Sequence, residues 1–214
     1  NRSVALDIFS KMYSPTIGSS AVMDYLGQTG LDALKGADIL RRAPKMYSSS
    51  IEYSDSTISQ SLKSIAQVMF ADLGTRVFYT QHGSFDTHSG EIASHQKLWS
   101  DLSIGLADFM DDLKEHGKDK DTIIFLFSEF GRRIKDNGAG TDHGSGGVAF
   151  VIGGDVNGGL HGRYPSLQDK NQVEGDLAFN NDFRGTYSTI AEKWLGIDPT
   201  VVSNGNFTGL DFLY

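Results

Sequence analysis

The chain has 214 residues, of which 39% are hydrophobic and 21% are charged, a balance typical of a folded globular protein and not of a disordered one. Its 19 basic and 27 acidic residues give a formal net charge of −8, which argues against nonspecific nucleic-acid binding because that requires a dense basic surface. The chain contains no cysteine, which excludes disulfides and thiolate metal ligands. No apolar run approaches the roughly 18 residues of a membrane span.

The first part of the chain is weakly patterned. Two short helices are predicted there, over residues 21–27 and 31–41. A clearer helix is predicted over residues 57–73, because apolar residues recur at steps of three and four. We therefore divide the chain into a loosely patterned connecting or helical segment, residues 1–55, and a more clearly patterned part, residues 56–214.

The second part alternates predicted strands with predicted helices. The strands cover residues 77–79, 122–127 and 148–152, which are apolar throughout, as expected of strands that are covered on both faces. The helices cover residues 91–116 and 182–195, and each is followed by a glycine. Strands that alternate with amphipathic helices are typical of a mostly parallel α/β sheet.

Polar residues stand near the ends of these predicted strands. Asp86 and His88 follow the first strand, and the pair Ser128-Glu129 comes directly after the second. His143 lies in the glycine-rich loop before the third. Ligands of open parallel sheets bind beyond the carboxyl ends of the strands, and carboxylate and imidazole are the expected ligands of zinc, manganese or iron in a site without cysteine. The sequence therefore predicts a divalent-metal site.

Each of these residues also has a simpler interpretation. Asp86 is suited to an Asx turn or to capping the helix that follows, and His88 is alternatively a surface loop histidine. Glu129 follows six apolar residues and needs a partner if it is buried. An ion pair with Arg132 or Arg133 would supply one.

Four further residues are candidates for supporting roles. Asp142 is either a turn former or a carboxylate that orients the imidazole of a metal-bound His143. His95, one turn into the predicted helix, is either a surface residue or a residue that supports the site. Arg132 and Arg133 could hold an anionic substrate through paired N–H donors, with solvation or ion pairing as the alternative for at least one of them.

Three segments together resemble one bacterial family. They are residues 83–88 (GSFDTH), 128–133 (SEFGRR) and 140–144 (GTDHG). They are similar to segments of the family known as domain of unknown function 1501, which is placed in the alkaline phosphatase and sulfatase superfamily. The resemblance runs from about residue 56 to the last residue, and the tail supports it at residues 153–159, 175–177 and 182–184.

The resemblance implies an alkaline-phosphatase-like fold, a three-layer α/β/α sandwich with a mostly parallel sheet. It also implies that this chain is a C-terminal half, with an incomplete sheet, because family members are typically longer and begin with a glycine-rich strand end that does not occur here. The nucleophile of the superfamily lies on the earlier strands, so we expect it to be missing from this chain.

The resemblance also implies a layout for the site. Asp86, His88 and His143 resemble the ligands of one metal ion. Glu129 stands where relatives often show an Asp-His pair for a second ion, and Phe130 replaces the histidine of that pair. The expected cofactor is a divalent metal, zinc first, with manganese, iron and calcium as alternatives.

The expected function is metal-dependent hydrolysis of phosphate or sulfate esters. In this interpretation Glu129 is catalytic, Arg132 and Arg133 bind the anionic substrate, and Asp142 and His95 support the ligands. The alternative is an exported non-catalytic protein with a degenerate or structural metal site. A phosphomutase-like enzyme of the same superfamily is a third hypothesis.

The resemblance implies a location and partners as well. Members of the family often carry twin-arginine export signals, so we expect an extracytoplasmic protein, periplasmic or secreted. The expected partner is a small anionic ester, with no nucleic acid and no membrane span. The open edge of an incomplete sheet invites pairing, so we also expect a homo-oligomer or association with the missing N-terminal half.

Overall fold

The computed structural model describes residues 2–12 and 21–214. The chain divides into two compact units, one formed by Asn1–Ser50 with Ser61–Thr80 and the other by Ile51–Gln60 with Gln81–Tyr214. All of the candidate site residues lie in the second unit. No helix of the described residues combines the length and the hydrophobicity needed to cross a membrane.

Helices form the first unit. Helix α1 is Arg2–Met12 and helix α2 is Ala21–Met46. The two short helices predicted from the sequence are thus one continuous helix. Glycine disfavours a helix by about 1 kcal/mol relative to alanine, so Gly27 and Gly30 made a continuous helix hard to predict. Both are buried within α2, where a small residue allows close packing.

The predicted strand at residues 77–79 is wrong. Helix α3, Thr57–Phe70, ends close to its predicted end, and residues 73–80 then form neither helix nor strand. The side chains of Val77 and Tyr79 are exposed, where a strand of a central sheet would bury them. An apolar run of three residues is too short for periodicity to define its structure.

Helix α4, Glu91–Glu115, supplies much of the core of the second unit. Leu102, Phe109 and Leu113 are buried along one side of it, at the spacing of an amphipathic helix. A Cβ added at Gly105 would lie 3.2 Å from the Cα of Ser59, so the chain at Ser59 packs directly on α4. The predicted helix over residues 91–116 is confirmed.

Two small antiparallel sheets complete the second unit. Strand β1 is Ile123–Leu126, β2 is Gly131–Asp136, β3 is Thr141–Gly144 and β4 is Phe150–Gly153. Strand β1 pairs with β4, so that Ile123 is opposite Gly153 and Leu126 is opposite Phe150. Strands β2 and β3 form a hairpin with an irregular register between Arg132 and Asp136.

The predicted three-layer α/β/α sandwich with a mostly parallel sheet is therefore wrong. The described residues form six α-helices and two antiparallel sheets of two strands each. Parallel neighbours require a long crossover, usually a helix, but the chain between β1 and β4 forms the β2–β3 hairpin, and β4 returns antiparallel. The described residues also lack the parallel-sheet edge from which we expected self-association.

Short helices end the chain. Helix α5, Phe183–Thr189, begins after Asp182, whose side chain accepts a hydrogen bond from the N–H of Arg184. It continues as a π-helical segment, Ile190–Leu195, which Gly196 ends with a φ of 66°. Helix α6 is Pro199–Ser203. The predicted helix over residues 182–195 is thus confirmed as a helical segment that changes its hydrogen-bonding pattern halfway.

Candidate metal centre

The structure brings Asp86, His88 and His143 together on the surface of the second unit. The Nε2 atom of His143 lies 2.8 Å from Oδ1 of Asp86, and Nδ1 of His88 lies 3.6 Å from the same oxygen. One ligand atom from each residue lies within 4.8 Å of the others. Two imidazoles and one carboxylate from separate segments of the chain thus converge on one point.

The hairpin turn between β2 and β3 sets the position of His143. Oδ1 of Asn137 accepts hydrogen bonds from the N–H groups of Ala139 and Gly140, at 3.0 and 2.9 Å, which is the Asx-type turn chemistry of asparagine. Gly138 has a φ of 96°, a conformation that glycine adopts readily. The hairpin that this turn closes places His143 opposite Arg132.

The same turn is hydrogen-bonded to the loop that carries the other two candidate ligands, Asp86 and His88. Nδ2 of Asn137 donates to the carbonyl oxygen of His88 at 3.2 Å and to Oδ1 of Asp142 at 3.0 Å. The N–H of Gly90 donates to the carbonyl oxygen of Ala139 at 3.0 Å. Asn137 therefore connects Asp142 to the Asp86–His88 loop through hydrogen bonds.

Aromatic contacts restrict the rings of the cluster. The ring of Phe130 stacks on the imidazole of His143, with a centroid separation of 3.8 Å and an interplanar angle of 8°. The rings of His88 and His143 lie 4.8 Å apart at 36°. Phe130 thus covers one face of His143 and limits rotation of its ring.

The donor set fits a transition metal. Zinc bonds of 2.0–2.2 Å in a tetrahedral site place neighbouring donor atoms about 3.3 Å apart, and the two distances to Asp86 Oδ1, 2.8 and 3.6 Å, lie on either side of that value. Imidazole with carboxylate suits zinc, manganese and iron, whereas calcium prefers six to eight oxygen ligands. Zinc, manganese and iron therefore fit these three residues better than calcium does.

The cluster is open to solvent. The side chains of Asp86, His88 and His143 are 66%, 53% and 39% exposed. A site with three protein ligands leaves a coordination position for water or substrate, as catalytic zinc sites do. The arrangement can therefore hold an ion that an exogenous ligand reaches.

Comparison with known proteins identifies the family. Residues 20–202 match the family model described as protein of unknown function (DUF1501). The chain belongs to the DUF1501 family. No curated protein and no solved structure matches it. The family predicted from three motifs is confirmed, and the match extends further towards the N-terminus than those motifs did.

The other predicted site residues of this DUF1501 chain have different positions. Glu129 is exposed and does not belong to the three-residue cluster. The carboxylate near Arg132 is that of Glu91, with Nη1 to Oε2 at 3.9 Å. The guanidinium of Arg132 donates to backbone carbonyls. Arg133 is exposed, and its Nε donates to the carbonyl oxygen of His143 at 3.2 Å.

His95, which lies in helix α4, contacts the Asp86–His88 loop and the residue before it. Its Nε2 lies 2.9 Å from Oγ1 of Thr87 and 3.3 Å from the carbonyl oxygen of Phe85. Its Nδ1 lies 3.7 Å from Oε1 of Glu91. These contacts place His95 beneath the loop that carries Asp86.

Sequence reasoning missed Glu91. Its carboxylate accepts hydrogen bonds from the N–H and the hydroxyl of Thr141, at 2.7 and 2.9 Å, two residues before His143. Burial raises the pKa of Glu91, but the hydrogen bonds from Thr141, with the charges of Arg132 and His95 nearby, outweigh burial and leave that pKa below its usual value. A glutamate in a first helical turn is usually explained by the helix dipole, so its sequence position alone does not reveal this role.

Proposed function

We propose that this DUF1501 protein binds a divalent metal ion, zinc in first place, and hydrolyses phosphate or sulfate esters. The observation that carries the proposal is the convergence of Asp86, His88 and His143, with ligand atoms within 4.8 Å of one another. The sequence resemblance to the alkaline phosphatase and sulfatase superfamily supports the choice of these esters over other substrates.

The residues of the site have distinct roles in this proposal. When bound, the ion would polarise an ester oxygen and lower the pKa of a bound water. Asp86 contributes the negative charge of the ligand set. The exposed guanidinium of Arg133, next to His143, offers N–H donors to an anionic group, and Glu129 is assigned the general base.

A zinc titration of ligand variants tests the metal site. Asp86→Ala, His88→Ala and His143→Ala each remove one of three candidate ligands, so we expect each to weaken zinc binding by more than the roughly 10–100-fold effect of an outer-shell change. Competition with a chromophoric chelator measures the affinity, and inductively coupled plasma mass spectrometry measures the stoichiometry.

His161→Gln is the matched control for these variants. His161 lies outside the cluster, and its Nε2 contacts the carbonyl oxygen of Asn157 at 2.6 Å. The His161→Gln variant should therefore bind zinc with the affinity of the unmodified protein. A protein that takes up no stoichiometric zinc, or a His88→Ala variant of unchanged affinity, would contradict the proposed site.

One pair of observations favours a second candidate function, a non-catalytic protein with a structural metal. The apolar ring of Phe130 stacks on the imidazole of His143, and Glu129 lies outside the three-residue cluster. Assays with 4-nitrophenyl phosphate and 4-nitrophenyl sulfate, on protein loaded with zinc or manganese, separate the two candidates. Turnover that His88→Ala abolishes supports the hydrolase, whereas inactivity at full metal occupancy supports the structural role.

We also propose an extracytoplasmic location, on the family resemblance alone. Immunodetection of the protein in periplasmic, secreted and cytoplasmic fractions tests it. Protein confined to the cytoplasmic fraction would contradict this part of the proposal.

A further inference from the structure

Arg132 joins the two segments that carry the metal-ligand candidates. Its Nη2 donates to the carbonyl oxygen of Phe85, and its Nη1 donates to that of Thr87. Phe85 and Thr87 are the residues on either side of Asp86, and Thr87 also precedes His88. The guanidinium therefore holds the peptide group that precedes Asp86 and the peptide group that precedes His88.

The same guanidinium holds strand β3. Nη1 of Arg132 donates to the carbonyl oxygen of Thr141 at 2.6 Å, and Arg132 is directly opposite His143 in the hairpin register. Glu91 holds the N–H of Thr141 at 2.7 Å. Thr141 is thus held at both its N–H and its carbonyl oxygen, two residues before the third ligand.

The burial of Arg132 agrees with this structural use of its charge. Its side chain is 21% exposed, and the carboxylate of Glu91, whose side chain is 16% exposed, lies 3.9 Å away. A partly buried charge requires hydrogen-bonding partners. The planar guanidinium presents several N–H donors at fixed angles, which suits carbonyls from two segments, whereas a lysine ammonium is a compact point donor.

We infer that Arg132 is a positioning residue that holds the Asp86–His88 loop and strand β3 in the geometry that binds the metal. The inference rests on the metal site proposed above. It replaces direct substrate binding as the role of Arg132, because the Nη groups that would bind an anion donate to three backbone carbonyls instead. Arg133 remains the exposed arginine beside His143.

The direction in which Arg132→Met changes the zinc affinity separates a positioning role from a simple charge effect. A cation close to a divalent-metal site repels the ion. If only the charge of Arg132 mattered, Arg132→Met would bind zinc at least as tightly as the unmodified protein. If the hydrogen bonds position the ligands, Arg132→Met and Arg132→Lys both bind zinc more weakly.

Zinc titration of these two variants is the first measurement. We expect both to bind zinc about 10–100-fold more weakly, the range for loss of a group that orients metal ligands. Arg184→Lys is the matched control, because Arg184 also bonds a carboxylate, that of Asp182, and lies 4.0 Å from the centroid of the Phe207 ring, outside the cluster. It should retain the unmodified affinity. Arg132→Lys keeps the charge and stem and serves if Arg132→Met does not fold.

Quenched-flow amide hydrogen exchange on metal-free protein is the second measurement. We expect faster exchange over residues 81–90 in both Arg132 variants and not in Arg184→Lys. An unmodified protein without zinc affinity would reject the proposed function, while the exchange rates still decide whether Arg132 orders the loop. Unchanged exchange together with unchanged or tighter zinc binding in the Arg132 variants would overturn the inference.

Discussion

Glu129 and Phe130 are neighbours in the chain with opposite relations to the candidate site. The ring of Phe130 stacks on His143 at 3.8 Å, whereas Glu129 is exposed and outside the ligand cluster. The chain bends at Glu129, between strands β1 and β2, and of the two side chains it is that of Phe130 that contacts His143. The roles of metal ligand and general base can therefore be tested separately at position 129.

The substitution Glu129→Gln tests those roles at the residue scale. We expect its zinc affinity to be unchanged, because the carboxylate does not belong to the cluster. If Glu129 is the general base, hydrolysis should fall by about 10²–10⁴-fold. Parallel zinc titrations and ester assays measure the two effects. Zinc binding that weakens with the activity would instead assign Glu129 as a ligand.

Among the single elements, helix α5 begins beside an ion pair between Asp182 and Arg184. Hydrogen bonds from the side chain and the N–H of Arg184 hold the pKa of Asp182 at about 2, below its usual 3.8. Since the folded-state pKa is depressed, the stabilising contribution is present in full above about pH 4. It is lost as the pH falls towards 2.

The substitution Asp182→Asn tests this contribution. Asparagine is also a good N-cap, so the variant keeps the capping hydrogen bond and removes the charge. We expect it to melt at a lower temperature than the unmodified protein at pH 7, with a difference that shrinks as the pH falls from 4 to 2. Thermal melts followed by circular dichroism measure this. A difference that stays constant across that range would contradict the ion-pair explanation.

For the protein as one molecule, the proposed metal binding would add to the free energy of unfolding. A ligand that binds only the folded state at 100 times its Kd adds about 2.7 kcal/mol to the free energy of unfolding. For a chain of 150–250 residues each kcal/mol raises Tm by about 2–4 °C. We therefore expect zinc to raise Tm by roughly 5–10 °C.

Differential scanning calorimetry with and without zinc measures this shift, and His143→Ala should lack it. The net charge of −8 attracts cations nonspecifically, so the comparison belongs at about 0.15 M salt, where surface charges are screened beyond about 8 Å. An equal shift in His143→Ala would show that zinc acts elsewhere on the molecule.

The amino-acid sequence alone was sufficient to predict the helices within residues 57–73, 91–116 and 182–195, and the family. Helical periodicity and a terminating glycine depend only on neighbouring residues, so a single sequence shows them within a contiguous segment of one helix length. The motifs around Asp86 and His143 were sufficient to recognise the family. They also selected the three residues that the structure brings together.

The pairing of the strands and the surroundings of the candidate ligands could be seen only in the folded chain. The apolar run at residues 122–127 does not indicate its partner strand or the direction of pairing, because the pairing depends on the chain that connects the two strands. Arg132 reaches the carbonyl oxygen of Thr87 across 45 residues of sequence. Hydrogen bonds to backbone carbonyls require no particular side chain at the acceptor, so the partners of Arg132 leave no pattern in the sequence.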